Sequence, residues 1–246
     1  MRKKILVVSD NISLCIEFKK IISKRKFVDI DYSTSPFSNK SLFDYKLKEK
    51  VKQYNLKNTE DINIIINNDY DLIFSIHCKQ LFPESIVKRI KCINVHPGYN
   101  PINRGWYPQV FAIINDLPIG ATIHEIDNQL DNGLIIARDF VKKDFFDTSE
   151  TLYNKIMHKE IELLKNNIDI IISGNYTTIA PEGKGNLFLK KDFKDLCELN
   201  LDEKLTGLEF INKLRALSHG DFKNAYFIDP KTHKKIYVNL NLKLES

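Results

Sequence analysis

Short apolar runs alternating with stretches of helical spacing constrain this chain more than any other feature. Ile5 to Ser9, Val28 to Tyr32, Asp71 to Ile76 and Cys92 to His96 read as strands, and the first, third and fourth are nearly continuous in apolar residues. Such runs suit strands covered on both faces. Ile12 to Ser23 has helical apolar spacing, Thr59 can cap a helix running to about Asn68, and Pro83 opens another. Ser33 to Ser41 is rich in turn formers, and Lys46 to Lys57 is ambiguous. The β-α-β alternation predicts an α/β fold, a mostly parallel sheet with helices on both faces. Sheets of this kind bind ligands outside the carboxyl ends of their strands.

The carboxyl end of the Cys92 to His96 run carries the chemistry. Alternation along a strand puts Asn94 and His96 on one face. Pro97 to Pro108 follows, a loop dense in prolines, glycines and aromatics that no regular element is expected to hold. Residues 109–115 then look helical, and Ala121 to Ile126 and Leu134 to Val141 look like further strands. Between those strands stands Asp131, ahead of Asn132 and Gly133. An amide, an imidazole and a carboxylate together suit acyl transfer to a nucleophile: one group moves a proton while another steadies a developing oxyanion. Each also has a plain structural reading, His96 as a hydrogen-bonded strand end and Asp131 as a turn former.

The string Asn94-x-His96, Arg104-Gly105, Gly120-x-Thr122-x-His124 and Leu130-Asp131-x-Gly133 resembles the signature of the N10-formyltetrahydrofolate-dependent formyltransferases. Gln80-Leu81-Phe82-Pro83 is similar to that family's loop bordering the folate pocket, so the resemblance spans about residues 70–140. It implies a Rossmann-like formyltransferase fold with Asn94, His96 and Asp131 as catalytic residues. It also implies N10-formyltetrahydrofolate as co-substrate, held near Cys78, Lys79, Gln80, Asp127, Gln129 and Leu130. His124 matches a family position and also reads as a structural histidine within the sheet.

Departures inside the family discriminate among acceptors. Members that formylate methionyl-tRNA usually carry Ser-Leu-Leu-Pro after the histidine, where this chain has Pro97-Gly-Tyr-Asn-Pro101. The glycinamide ribonucleotide enzymes place a Gly-rich phosphate loop after the first strand, where this chain has Ser9-Asp-Asn-Ile-Ser13, without the glycine that close phosphate approach needs. The segment from Leu214 to Phe227 resembles the sugar N-formyltransferases, which act on dTDP-linked amino-dideoxy sugars such as dTDP-4-amino-4,6-dideoxyglucose, destined for surface polysaccharide including O-antigen. That group implies substrate contacts from Tyr99, Asn103, Arg104, Trp106, Tyr107, Arg215, His219 and Tyr226. A methionyl-tRNA or glycinamide ribonucleotide formyltransferase, or a non-catalytic folate- or nucleotide-binding protein, are the alternatives.

At 246 residues the chain can bury a full core. A catalytic domain over residues 1–185 with an appendage over 186–246 is expected, divided where Gly183-Lys-Gly-Asn186 marks a break. Asp147 with Glu150 reads as a capping-box start to a long helix from Leu152 to Ile172. In the tail, Leu208, Ile211, Leu214 and Leu217 share a helical face, and Tyr226 to Ile228 with Ile236 to Leu244 read as a hairpin. Ile236, Val238, Leu240, Leu242 and Leu244 alternate strictly, giving an apolar stripe that something must cover. A homodimer through this hairpin is expected; packing on the chain's own helix would leave a monomer.

Four cysteines lie far apart without a Cys-x-x-Cys pair, which argues against a disulfide framework and for the cytoplasm. His77, His158, His219 and His233 form no ligand-spaced pair, so no metal is expected. The net charge of +5 comes without a basic block, so neither a nucleic-acid partner nor a membrane is called for. The apolar run after Met1-Arg-Lys-Lys4 is too short for a signal peptide.

Overall fold

The computed structural model describes residues 2–183 and 185–245. Strand β1 (Lys3–Ser9) leads into helix α1 (Ile12–Ile22), then β2 (Val28–Thr34), α2 (Lys40–Leu47), β3 (Lys52–Gln53) and α3 (Thr59–Asn67). The chain crosses back through β4 (Leu72–Ile76), α4 (Glu84–Val87), β5 (Lys91–His96), β6 (Arg104–Gly105) and α5 (Pro108–Ile114). It continues as β7 (Gly120–Glu125), β8 (Ile135–Phe140) and the long α6 (Ser149–Ser173). The seven-stranded sheet has the order β3-β2-β1-β4-β5-β7-β8. Its first five strands are parallel, and β7 and β8 close one edge antiparallel.

Strand order reverses between β1 and β4. The chain runs outward from β1 to β3, then returns to lay β4 on the other side of β1. Above this switch the connecting loops diverge, leaving the crevice in which such sheets bind ligands. One sheet face packs Ile5, Val7, Phe74, Ile93 and Val95 against α1 and α6 through Phe18, Leu152, Ile156 and Leu164. The other packs Leu6, Val8, Ile73 and Cys92 against Ile65 and Ile86. Alternate residues of each strand serve opposite layers, which is why the runs read as continuously apolar.

Several local expectations are corrected. Asn58, not Thr59, caps α3, its side chain accepting from the Glu60 and Asp61 amides. An Asn in extended backbone serves as well as Thr, and both precede the apolar pattern. Thr148 with Thr151 caps α6 rather than Asp147 with Glu150. Asp147 is fully buried and accepts from the Asp144 amide, Thr151 Oγ1 and Lys155 Nζ. The Pro97 to Pro108 loop does hold a strand: β6 pairs in parallel with β9 (Leu187–Phe188) from far along the chain, a non-local contact that periodicity cannot reveal.

Helix α7 (Lys190–Cys197) was not anticipated, because its few apolar residues stand among charges. Helix α8 (Gly207–Leu217) buries Leu214 and Leu217 but leaves Leu208 and Ile211 exposed. The hairpin is shorter than its alternation suggests. Strand β10 (Tyr226–Ile228) pairs with β11 (Lys235–Tyr237), and Tyr226 also bridges Glu198 in parallel. Val238 N–H still donates to the Ala225 carbonyl at 2.9 Å, after which the chain leaves the ladder and Leu240 N–H donates to Ser218 Oγ at 2.8 Å. No described helix is long and apolar enough to cross a membrane.

Candidate active site

Strand β5 delivers Asn94 and His96 to the carboxyl edge, and the β7–β8 connection delivers Asp131 from the other side. Asn94 Nδ2 donates to Asp131 Oδ1 at 3.0 Å, and His96 Nδ1 lies 3.5 Å from Asp131 Oδ2. His124 joins them: its Nε2 is 3.2 Å from Asn94 Nδ2 and 3.6 Å from Asp131 Oδ1. A register shift between Ile123 and His124 interrupts the β7–β8 ladder at this point. Bulges of this sort re-aim side chains beside active sites.

Hydrogen bonds assign the tautomers. His96 Nε2–H donates to the Asn103 carbonyl at 3.0 Å, so in the neutral ring the lone pair sits on Nδ1 and faces Asp131. His124 Nδ1–H donates to the Glu125 carbonyl at 2.7 Å, which makes its Nε2 an acceptor for Asn94. Both amide protons of Asn94 are thereby engaged. Burial holds the His96 ring below its ordinary pKa, against the pull of Asp131, so the ring is neutral near pH 7. For Asp131, burial pushes upward, but the positive charge the neighbouring His96 and His124 rings carry when protonated, with the Gly105 amide, outweighs it and holds the carboxyl below the usual range. Gly105 N–H donates to Asp131 Oδ2 at 3.0 Å, a charge-assisted bond to a buried carboxylate.

The surrounding loop is built to hold this geometry. Thr122 Oγ1 donates to the Gly98 carbonyl at 2.7 Å and accepts from the Asn100 amide at 3.1 Å, and Asn100 Nδ2 donates to the Asp131 carbonyl at 2.9 Å. A side chain at Gly98 would run into His96 Nε2 and stand 2.7 Å from the Asn103 carbonyl, so the imidazole occupies space that only glycine leaves. Asp131, Asn103, Tyr107 and His77 all have left-handed backbone, with φ of 48°, 64°, 54° and 52°. Such residues gather at functional sites, where the surroundings over-determine them.

The other anticipated residues fall into distinct places. The Cys78 thiol is pushed up to about 12 by burial and is no nucleophile. Lys79 N–H donates to Asp10 Oδ2, and the Gln80 side chain bonds the Leu56 amide and the Tyr54 carbonyl, shaping one wall. Asp127 accepts from the Gln129 amide, and Leu130 is half-buried before Asp131. Tyr99 stacks on Phe140 with centroids 3.7 Å apart, beneath the Arg138 guanidinium. Asn103 is fully buried, with neither amide atom partnered among the described residues. Arg104 ties the loop to Asn132 Oδ1 and the Asn186 carbonyl; Lys190 Nζ stands 3.9 Å over the Trp106 ring, and Tyr107 stacks on Phe193.

The C-terminal residues are spread. Arg215 is only 4% exposed and donates to the Asp147 carbonyl and to Asn212 Oδ1. Its fork ties α8 to the turn before α6 rather than facing the crevice. Tyr226 Oη donates to Glu198 Oε2. His219, by contrast, reaches inward, with Nδ1 at 3.1 Å from Ser149 Oγ and its ring edge-on to Tyr153.

A second polar cluster escaped the sequence reading. His77, directly after β4, places Nε2 2.7 Å from Glu160 Oε1 and Nδ1 2.9 Å from Tyr153 Oη. Asn11, the cap of α1, donates to Tyr153 Oη at 3.1 Å. One signal could have exposed it. Glu160 falls four residues after Ile156 and four before Leu164, a lone acid on the buried stripe of α6, and it is fully buried. Among the described residues no three His, Cys, Asp or Glu side chains form a metal cluster.

Comparison with known proteins gives a consistent result. Residues 5–168 match the formyl transferase family, and residues 192–244 match the N-formyltransferase dimerization C-terminal domain. A dTDP-4-amino-4,6-dideoxyglucose formyltransferase of Mycobacterium tuberculosis is 48% identical over 176 residues, spanning 72% of this chain and 75% of the relative. The crystal structure of a 4-N formyltransferase from Francisella tularensis superposes with a TM-score of 0.93 at 43% identity, covering 99% of each chain. At the level of the fold alone, a sugar 3N-formyl transferase solved in the presence of dTDP and 5-N-formyl-THF is similar, with 22% identity, a TM-score of 0.72, and 92% of this chain and 82% of that one covered. With the motif residues assembled at the carboxyl edge of a Rossmann-like sheet, this chain belongs to the formyl transferase family.

Proposed function

We propose that the protein transfers the formyl group of N10-formyltetrahydrofolate to the amine of dTDP-4-amino-4,6-dideoxyglucose, in the cytoplasm, for a surface polysaccharide such as O-antigen. The observation that carries this is a neutral His96 whose Nδ1 lone pair faces Asp131 beside Asn94, in a chain 48% identical to an enzyme named for that sugar. The folate supplies an electrophilic formyl carbon. His96 Nδ1 takes the proton of the attacking amine as the new C–N bond forms, Asp131 at 3.5 Å stabilises the imidazolium that results, and that imidazolium returns the proton to N10 as the C–N10 bond breaks and tetrahydrofolate leaves. Asn94 moves one amide proton from His124 to the formyl oxygen as charge builds there, and His124 holds the amide in place until then.

Cys78 to Gln80 and Asp127 to Leu130 border the folate on opposite walls. Tyr99, Asn103, Arg104, Trp106 and Tyr107 line the nucleotide-sugar side with His219, while Arg215 and Tyr226 support the C-terminal frame. The residues from Lys190 onward pair two copies. The match to a dimerization domain supports this, as do exposed Phe210, Ile211, Ile236 and Leu244.

The test is incubation with N10-formyltetrahydrofolate and a panel of dTDP-linked 4-amino and 3-amino sugars, methionyl-tRNA and glycinamide ribonucleotide, following tetrahydrofolate release. Turnover with dTDP-4-amino-4,6-dideoxyglucose is expected. Turnover confined to methionyl-tRNA or glycinamide ribonucleotide would replace the sugar reading.

A further inference from the structure

The triad stands over β5, yet the crevice of this sheet opens where strand order reverses, between β1 and β4. His77 follows β4 directly and Asn11 lies two residues beyond β1 as the cap of α1; Asn11 is half-buried and the His77 side chain 10% exposed. They meet Tyr153 from α6 at the switch point, with fully buried Glu160 beneath. His77 adopts left-handed backbone to do so, turning its ring out of strand register toward α6. A packed core has no use for a histidine, a tyrosine, an asparagine and a buried carboxylate converging at the mouth of the crevice.

The hydrogen-bond inventory of the cluster leaves a defined opening. In the neutral ring with Nε2–H donating to Glu160 Oε1 at 2.7 Å, the Nδ1 of His77 accepts from the Tyr153 O–H at 2.9 Å, with Asn11 Nδ2 a further 3.4 Å neighbour. Asn11 Nδ2 fills one Tyr153 lone pair at 3.1 Å, while Asn11 Oδ1 is held by the Leu14 amide as the cap of α1. One acceptor site on Tyr153 Oη remains, and Glu160 Oε2 is buried without a partner among the described residues. Both are acceptors. The fitting ligand group is therefore a hydrogen-bond donor, which a ring hydroxyl of the sugar supplies; an ionised phosphate oxygen only accepts and has nothing to offer these acceptors.

Strands β4 and β5 are adjacent, with Ile76 opposite Val95, so His77 and His96 leave neighbouring strands at the same level. A hexose whose amine reaches His96 Nδ1 would present its neighbouring ring substituent toward β4. We propose that Tyr153, held by His77, Glu160 and Asn11, accepts a hydrogen bond from the ring hydroxyl adjacent to the reacting amine and so positions the acceptor sugar and sets its specificity. This rests on the amino-sugar reading above.

The experiment compares the parent enzyme with Tyr153→Phe and Glu160→Gln on dTDP-4-amino-4,6-dideoxyglucose and on its analogue lacking the hydroxyl next to the amine, with KM for N10-formyltetrahydrofolate measured in parallel. The parent should prefer the hydroxylated sugar by about tenfold in kcat/KM. Tyr153→Phe, which keeps the ring packing, should erase that preference through KM for the sugar and leave KM for the folate within about twofold. Glu160→Gln should weaken the preference in the same direction; should that variant fold poorly by thermal melt, Tyr153→Phe alone decides. A variant that loses rate equally on both sugars, or keeps the parent's preference, overturns the proposal. A parent that releases tetrahydrofolate with neither sugar overturns the acceptor assignment itself, and this inference with it.

Discussion

The carboxyl edge of the sheet and the C-terminal segment solve opposite problems. At the edge, polar groups are buried and held: Asp131, 9% exposed, receives Asn94 and Gly105 and faces two imidazoles. In the C-terminal segment apolar groups are left outside: Phe222 is 69% exposed, Leu244 72% and Ile236 43%. The first region holds its own polar groups, because those that orient the triad come from β5, β6, β7 and the loops that join them and lead to β8. The second does not cover its apolar groups, because its own small cluster of Leu199, Leu214, Leu217 and Ala225 covers only one side of it. A region left with uncovered apolar groups invites a second surface.

The contrast breaks most visibly at the triad. His96→Asn and Asp131→Asn should fold as the parent does, by circular dichroism and melting, and lose kcat by on the order of 10²-fold or more. Rates within a few-fold of the parent for both would move the chemistry elsewhere. Gly98→Ala keeps every triad side chain but crowds the imidazole and the carbonyl it bonds, since a methyl there runs into His96 Nε2 and stands 2.7 Å from the Asn103 oxygen. A loss of roughly 10-fold to 100-fold in kcat is expected from misplacement. An unchanged rate would mean that the position of the ring is not critical.

The uncovered region is tested by charge. Ile236→Asp should turn a dimer into a monomer by light scattering, losing about 1.5–3 kcal/mol of apolar burial per copy, while kcat per chain stays within a few-fold. A monomeric parent at micromolar concentration would remove the contrast altogether. Between the two regions, Arg104→Ala should raise KM for the nucleotide sugar several-fold and lower kcat less, because Arg104 braces the loop through Asn132 and Asn186 and stays clear of the proton transfer.

The smallest effect is a displacement in pH. Burial lowers the His96 pKa, so the ring stays a base at lower pH than a free histidine, ordinarily near 6.5. The acid limb of kcat/KM should therefore lie below about 6.5. Stability follows the same sign. A histidine with depressed pKa contributes fully above its unfolded value and loses that contribution as pH falls below it, and Asp131, also depressed, loses its own as pH falls further through the carboxylate range. An acid limb above 6.5 would mean a ring stabilised in its charged form.

The triad was legible because its members sit at fixed offsets inside local patterns. Asn94 and His96 are two apart on one apolar strand, and Asp131 lies in the turn between two others. The second cluster was not, because Asn11, His77 and Tyr153 come from three separate elements and none stands near another in sequence. Arg215 shows the reverse: an arginine in a family-like segment looks like a phosphate ligand until burial against Asp147 and Asn212 reveals a tie between α8 and the turn before α6.

By itself, the amino-acid sequence determined the layered α/β architecture, most helix and strand positions and the chemical character of the triad, since burial periodicity and short-range spacing are properties of neighbours along the chain. Only the tertiary structure decided the rest: the tautomers of His96 and His124, the entry of His124 into the site, the pairing of β6 with β9 and the meeting of His77 with Glu160. Each depends on which backbone carbonyl or distant side chain arrives within about 3 Å, the reach of a hydrogen bond. Contacts of that range between remote segments are set by packing of the whole domain, and no local pattern records them.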